Sequence, residues 1–171
     1  MGGMASANAS AGTHACFLGA GAYNHYIPAA VWQILLRSEW YTSYTPYQPE
    51  ISQGTLQTIF EWQTMVCGLT GLEVSNASLY DGASATAEAV LMAARVTNRK
   101  RIVLSANLHP HYAETVQTTA EAAGLSIVEG NETALDDKTA CFVVQNPDFT
   151  GAIRDITPLS DAAHGVGALL V

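Results

Sequence analysis

A chain of 171 residues that is 49% apolar and only 13% charged has enough material for one substantial buried core. Its formal net charge of −8, with only seven Lys and Arg residues, argues against a nucleic-acid partner, because neutralising phosphates needs clustered cations. No apolar run approaches the roughly twenty residues that cross a bilayer, so no membrane partner is expected. Cys16, Cys67 and Cys141, odd in number and without a CxxC, indicate neither a disulfide framework nor a zinc site, and a reducing, cytoplasmic compartment is expected.

Residues 1–16 are mostly small and lack the basic-then-apolar order of a secretory signal, and they read as a disordered leader. Residues 17–54 read as an N-terminal helix followed by a Tyr/Pro-rich strap. Ile27, Ala30, Val31, Ile34 and Leu35 recur at helical spacing, with Pro28 in the first turn, which predicts a helix over Ile27 to Arg37 with one buried face. In YTSYTPYQPEISQG, Tyr41 to Gly54, Pro46 and Pro49 fix φ and push the residues before them towards extended conformations. The segment is expected to be a stiff, PPII-like strap that presents aromatic hydroxyls and amides to a ligand.

Residues 55–171 read as an incomplete α/β domain. A helix over Thr55 to Leu69 carries a broad apolar pattern and meets Gly68 and Gly71 as candidate stops. A strand over Val74 to Tyr80 is expected to lead through DGASA into an Ala-rich helix. RIVLSA, a helix from Tyr112 to Ala123 closed by Gly124, LSIVEG, CFVVQ, a helix capped by Thr157 and stopped by Gly165, and GALLV follow. Short β-branched runs alternating with helices predict an α/β fold, a mostly parallel sheet with helices on both faces. Ala168 to Val171 reads as a buried strand with nothing after it, so a truncated domain, or one completed by another chain, is expected.

Three places carry residues suited to chemistry. At Asp81-Gly82-Ala83-Ser84 a helix N-terminus offers amides to a phosphate or carboxylate, while Asp81 can equally cap its own helix, and both readings stay open. Asn107-Leu108-His109-Pro110-His111 follows a strand at the end where open α/β sheets bind ligands, so His109 is either a wall against a ligand or a structural histidine. His109 and His111 lack a third ligand at plausible spacing, so neither a metal nor the metal-hydrolase chemistry it would support is expected. Asn146-Pro147-Asp148, after CFVVQ, lines the same crevice or forms a turn. The basic run Arg99 to Arg101 reads as a solvated turn. No G-x-S-x-G occurs, and Gly19-Ala20-Gly21 has neither the strand nor the spacing of a dinucleotide fingerprint.

With FLGAGAYNHYIPAAV, the strap and the DGASATAEA turn, then RIVLSANLHPHY and VVQNPDFTG in order, residues 17–171 resemble the glycine cleavage system P-protein family, glycine dehydrogenase (decarboxylating). The likeness is to its N-terminal half, a separate subunit 1 in many bacteria. It implies a truncated PLP-dependent transferase-like large domain of the aspartate aminotransferase type, fold type I. The implied reaction is PLP-dependent decarboxylation of glycine, with the aminomethyl group passed to the lipoyl arm of H-protein.

The resemblance places the PLP-bearing lysine on a partner, subunit 2, with no cofactor held covalently by this chain, whose only lysines are Lys100 and Lys138. It makes Tyr41, Tyr44, Tyr47, Gln48, Glu50, Ser52 and Gln53 a strap facing an active site shared at a subunit interface. Asp81, Gly82, Ala83 and Ser84 match the turn that forms the phosphate cup in the catalytic half, and His109 the position over the cofactor ring, here as relics of a cofactor site. The chain is thus expected to complete a partner's glycine-decarboxylating site in a homo- or hetero-oligomer and to be silent alone. The competing expectation is a non-catalytic, self-associating α/β domain that pairs through Ala168 to Val171.

Overall fold

The computed structural model describes residues 2–171, which fall into an N-terminal unit ending at Ser78 and a C-terminal unit, Leu79–Val171. The division comes after the long helix that the sequence assigns to the α/β domain, so that helix groups with the strap and not with the sheet.

The N-terminal unit holds α1 (Gly2–Ala5), α2 (Ala29–Leu35), α3 (Ser38–Tyr41) and α4 (Gln53–Thr70). Pro28 flanks α2 with an extended backbone and does not enter its first turn. The buried face expected of α2 is not found, since Val31 is 39% and Ile34 50% exposed, and none of the four helices holds a buried residue. α4 runs through Gly68 and ends at Gly71, whose φ of 75° lets its N–H reach the Cys67 carbonyl.

The strap is more folded than expected. Tyr41 closes α3, and Gln48 accepts from the N–H groups of Ile51 and Ser52 at 3.2 and 3.1 Å. Pro49 takes the second position of that turn, where its fixed φ is favourable, so only the stretch before Gln48 lacks helix or turn structure.

No strand forms over Val74 to Tyr80. Ser75, Asn76, Ala77 and Ser78 supply no apolar alternation to bury, Val74 and Tyr80 are exposed, and the Ser75 carbonyl accepts from the Gln63 amide instead of a sheet neighbour.

In the C-terminal unit α5 (Gly82–Thr97) leads to β1 (Arg101–Ser105), α6 (Pro110–Ala122), β2 (Ser126–Gly130), a 3-10 turn (Glu132–Ala134), β3 (Thr139–Val143), α7 (Thr157–Gly165) and β4 (Leu169–Leu170). The sheet is parallel throughout, in the order β2-β1-β3-β4. Alternate side chains of β1 point to opposite faces. Ile102 and Leu104 pack with Ala87, Val90 and Ala94 of α5 and Val116 of α6, while Val103 and Phe142 pack with Ala163 of α7. Helices therefore cover both faces, and the apolar runs are continuous because neither face meets water.

Two terminators differ from expectation. The first free amide of α7, that of Thr157, goes to Asp155 Oδ1 at 2.9 Å, so Asp155 and not Thr157 supplies the cap. That N–H holds the Asp155 carboxyl below its usual range. After α7 the left-handed residue is Gly167 (φ 72°), not Gly165.

Within the basic run Lys100 is exposed, as expected, whereas Arg99 and Arg101 are half-buried and bonded. Arg99 Nη1 donates to the carbonyls of Thr139 and Val166, both at 2.9 Å, and Arg101 Nη1 donates to the Ala134 carbonyl at 2.6 Å and lies 3.0 Å from Asp136 Oδ2. The guanidinium groups thus bridge backbone acceptors near the start of β3 and the end of α7.

Candidate functional site at the carboxyl end of the sheet

The strand order sends the chain from β1 outward to β2 and then back past β1 to β3. The helices that follow β1 and β3 lie on opposite faces, so the carboxyl end between these strands is the topological switch point, the place where open α/β sheets bind ligands.

Main-chain and side-chain bonds lock the two loops together. His109 N–H donates to Gln145 Oε1 at 2.9 Å, Phe149 N–H to the Asn107 carbonyl at 3.0 Å, and Asn107 Nδ2 to Asp148 Oδ2 at 3.1 Å. Asp148 is 7% exposed and fully engaged: Oδ1 accepts from Thr150 Oγ1 (2.7 Å), Thr150 N–H (2.9 Å) and Ala152 N–H (3.0 Å), and Oδ2 pairs with Arg154 at 3.2 Å. The Thr150 hydroxyl, the two amides and the Arg154 charge hold its carboxyl below the usual carboxylate range. The Asn146–Pro147 peptide is cis, and the Asn146 side chain bonds both the N–H and the carbonyl of Arg154 at 3.1 Å. Asn146-Pro147-Asp148 therefore forms a turn bonded to the loop that follows β1.

His109 has a structural role, and its ring packs among other aromatic side chains. Its Nδ1 accepts from His111 N–H at 3.2 Å and so caps α6, which puts the proton of the neutral ring on Nε2. The ring stands 4.9 Å from Phe149 edge-on, 5.4 Å from Tyr112 and 5.1 Å from His111, centre to centre. With Nδ1 spent on the backbone, and no third His, Cys, Asp or Glu grouped with the pair among the described residues, the His109–His111 arrangement does not make a metal centre.

At the head of α5 the structure forms the capping bond. Asp81 Oδ1 accepts from Ser84 N–H at 2.7 Å, and this amide, with the Ser84 hydroxyl, lowers the Asp81 pKa. The carboxylate thus occupies one of the amides of the first turn. Gly82 is pressed by Tyr112, whose hydroxyl stands where a Cβ at position 82 would go. Tyr112 thereby links Asp81–Ser84 to His109, so these two sequence-predicted features share one site. The strap residues Tyr41, Tyr44, Tyr47, Gln48, Glu50, Ser52 and Gln53 belong to the N-terminal unit; the three tyrosines are about 80% exposed, and the rings of Tyr44 and Tyr47 meet edge to face at 6.4 Å.

Sequence reasoning missed Tyr112, Gln145, Phe149 and Arg154. Only Gly82, a glycine at the first turn of an otherwise Ala-rich helix, signals that something approaches closely there.

A covalently held pyridoxal phosphate requires a lysine facing this end of the sheet. Lys100 immediately precedes β1 and Lys138 immediately precedes β3, so both stand at the amino end of the sheet, a strand's length of about 16 Å from the loops that carry His109. Neither lysine faces the loops that carry His109, so the residues present do not supply a covalent attachment point there.

The family model for the glycine cleavage system P-protein matches residues 3–171, beginning ahead of Phe17. The protein named "Probable glycine dehydrogenase (decarboxylating) subunit 1" from Phenylobacterium zucineum (strain HLK1) is 53% identical over 178 residues, covering 99% of this chain and 40% of the relative. Its namesake from Desulforamulus reducens (strain ATCC BAA-1160 / DSM 100696 / MI-1) is 51% identical over 182 residues, covering 100% of this chain and 41% of the relative. The chain thus spans about 40% of the length of the curated relatives it matches. A crystal structure of glycine decarboxylase (P-protein) of the glycine cleavage system, in inhibitor-bound form, superposes with a TM-score of 0.88 at 43% identity, covering 98% of this chain and 39% of that one. With matching helices on both faces of a parallel sheet and a family match over nearly its whole length, the chain belongs to the glycine cleavage system P-protein family.

Proposed function

We propose that this chain serves as part of a glycine dehydrogenase (decarboxylating) subunit 1 that shapes a glycine-decarboxylating site whose pyridoxal phosphate is carried by a partner, subunit 2. The observation that carries this reading is the position of Lys100 and Lys138 at the end of the sheet away from His109. The exposed strap, Tyr41 to Gln53, supplies hydroxyls and amides to the shared site, and the Asn107–Asp148 and His109–Gln145 bonds keep the loops after β1 and β3 in place. H-protein receives the aminomethyl group in the assembled complex, the setting is cytoplasmic, and the chain alone is silent.

The test is glycine-dependent bicarbonate exchange with a pyridoxal phosphate-bearing subunit 2 and H-protein. Exchange is expected only when both subunits are present, and equal exchange by subunit 2 without this chain overturns the reading. Borohydride reduction of the lone chain with pyridoxal phosphate gives a second readout: a pyridoxyl adduct specific to Lys100 or Lys138 also overturns it.

A second reading is favoured by one observation, that among the described residues β4 pairs with β3 on one edge only. On it the chain is a non-catalytic domain that self-associates through Ala168 to Val171. A monomer at all concentrations in sedimentation removes it.

A further inference from the structure

The amino end of the sheet gathers charge of the sign that the rest of the chain lacks. Five of the seven Lys and Arg residues, Arg95, Arg99, Lys100, Arg101 and Lys138, stand where α5 ends and β1 and β3 begin, in company with Asp136 and Asp137. The two cations elsewhere are paired, Arg37 with Glu39 at 2.7 Å and Arg154 with Asp148 at 3.2 Å. Within the cluster Arg99 and Arg101 are occupied by backbone carbonyls and Asp136. Arg95 lies in the last turn of α5, where the helix dipole accounts for a cation.

Lys100 and Lys138 have no such use. Both are exposed, neither lies within 4.0 Å of a carboxylate among the described residues, and both line one open cavity of about 420 Å³ together with Asn98, Ser126 and Asp137. We propose that this end of the sheet docks an acidic protein surface, with Lys100 and Lys138 as its contact cations.

The chemistry selects the kind of partner. A small phosphate or carboxylate needs fixed, converging donors, whereas two hydrated ammonium groups on flexible stems act at a distance of about a Debye length, 8–10 Å at moderate salt. Such charges steer and orient a large surface of opposite sign. The net charge of −8 sharpens the contrast, because cations are scarce in the rest of the chain. This surface lies at the opposite end of the strands from the loop that carries His109 and does not depend on the function proposed above.

Binding of the full chain to fluorescein-labelled poly-L-glutamate, followed by anisotropy at about 20 mM and about 150 mM salt, tests the proposal. The expected result is binding that weakens about tenfold or more across that range and again in a Lys100→Gln/Lys138→Gln variant whose circular dichroism is unchanged. Carbodiimide cross-links to the polymer should map to Lys100 or Lys138. Absence of binding, unchanged binding by the double variant, cross-links confined to other residues, or displacement by inorganic phosphate at matched ionic strength each overturns it, the last in favour of a small-anion site.

Discussion

The hydroxyl of Tyr112 stands in the space that a side chain at Gly82 would occupy, which ties the head of α5 to the start of α6. Gly82 does not have a positive φ, so the restriction there is steric and not conformational. Gly82→Ala should therefore lower stability by about 1–3 kcal/mol through overpacking. Helix propensity alone would raise it by roughly 0.5–1 kcal/mol, so the sign of the shift in a urea unfolding curve decides whether the contact exists. Tyr112→Ala in the same background should recover part of the loss.

Asp148 joins the loops after β1 and β3, and its carboxyl is held low first by the Thr150 hydroxyl and then by backbone amides and Arg154. A depressed acid stabilises the fold fully above its unfolded value of about 3.9, and the contribution disappears as pH falls through the lower folded value. Asp148→Asn should lower the urea midpoint at pH 7 and flatten the decline in stability on the acid side of about pH 4. An acid limb as steep as that of the parent chain would show that the network around Asp148 is not formed.

Cys141 is fully buried in the central strand β3, and burial pushes its thiol up to about 12, whereas Cys16 is exposed. Since the thiolate is the reacting form, iodoacetamide at about pH 8 should modify Cys16 readily and Cys141 only on unfolding. Mass spectrometry with and without denaturant reads this directly.

The strap makes a prediction about assembly. Tyr44 is 80% exposed in its unit, so Tyr44→Ala should leave the unfolding midpoint of the lone chain unmoved. In the reconstituted two-subunit enzyme the same change, or Glu50→Ala, should reduce glycine–bicarbonate exchange by about tenfold or more, the scale of losing one site contact. An effect of equal size on the fold of the lone chain would make the strap a structural element.

The C-terminal unit was readable in the sequence because its signals are local: Ile102-Val103-Leu104 is apolar on both faces, and Asp81 stands where a cap belongs. The N-terminal helices were readable as helices, but periodicity shows which face is apolar and not what lies against it, and the expected buried face of α2 is exposed in its unit. The strand expected over Val74 to Tyr80 rested on its ends alone, with four small or polar residues between Val74 and Leu79. The Tyr112–Gly82 and Asn107–Asp148 contacts join residues about 30 to 40 positions apart, a distance over which spacing rules carry no information.

Arg99 reads main-chain atoms and nothing else: both of its acceptors are carbonyls, and its flat guanidinium slides over Gly167, with Nη2 3.1 Å from where a Cβ would lie. The bonds to Arg99 ask nothing of its partners' side chains, although Thr139 is itself buried with its hydroxyl bonded to Arg101 and Asp136, and Val166 packs against the core. The arginine and the glycine are constrained directly. A lysine brings a compact charge without the planar fork, and any larger residue at 167 meets both the guanidinium and its own φ of 72°. Arg99 and Gly167 are accordingly bound to each other by shape as well as by charge, and a change at either position is felt at the other.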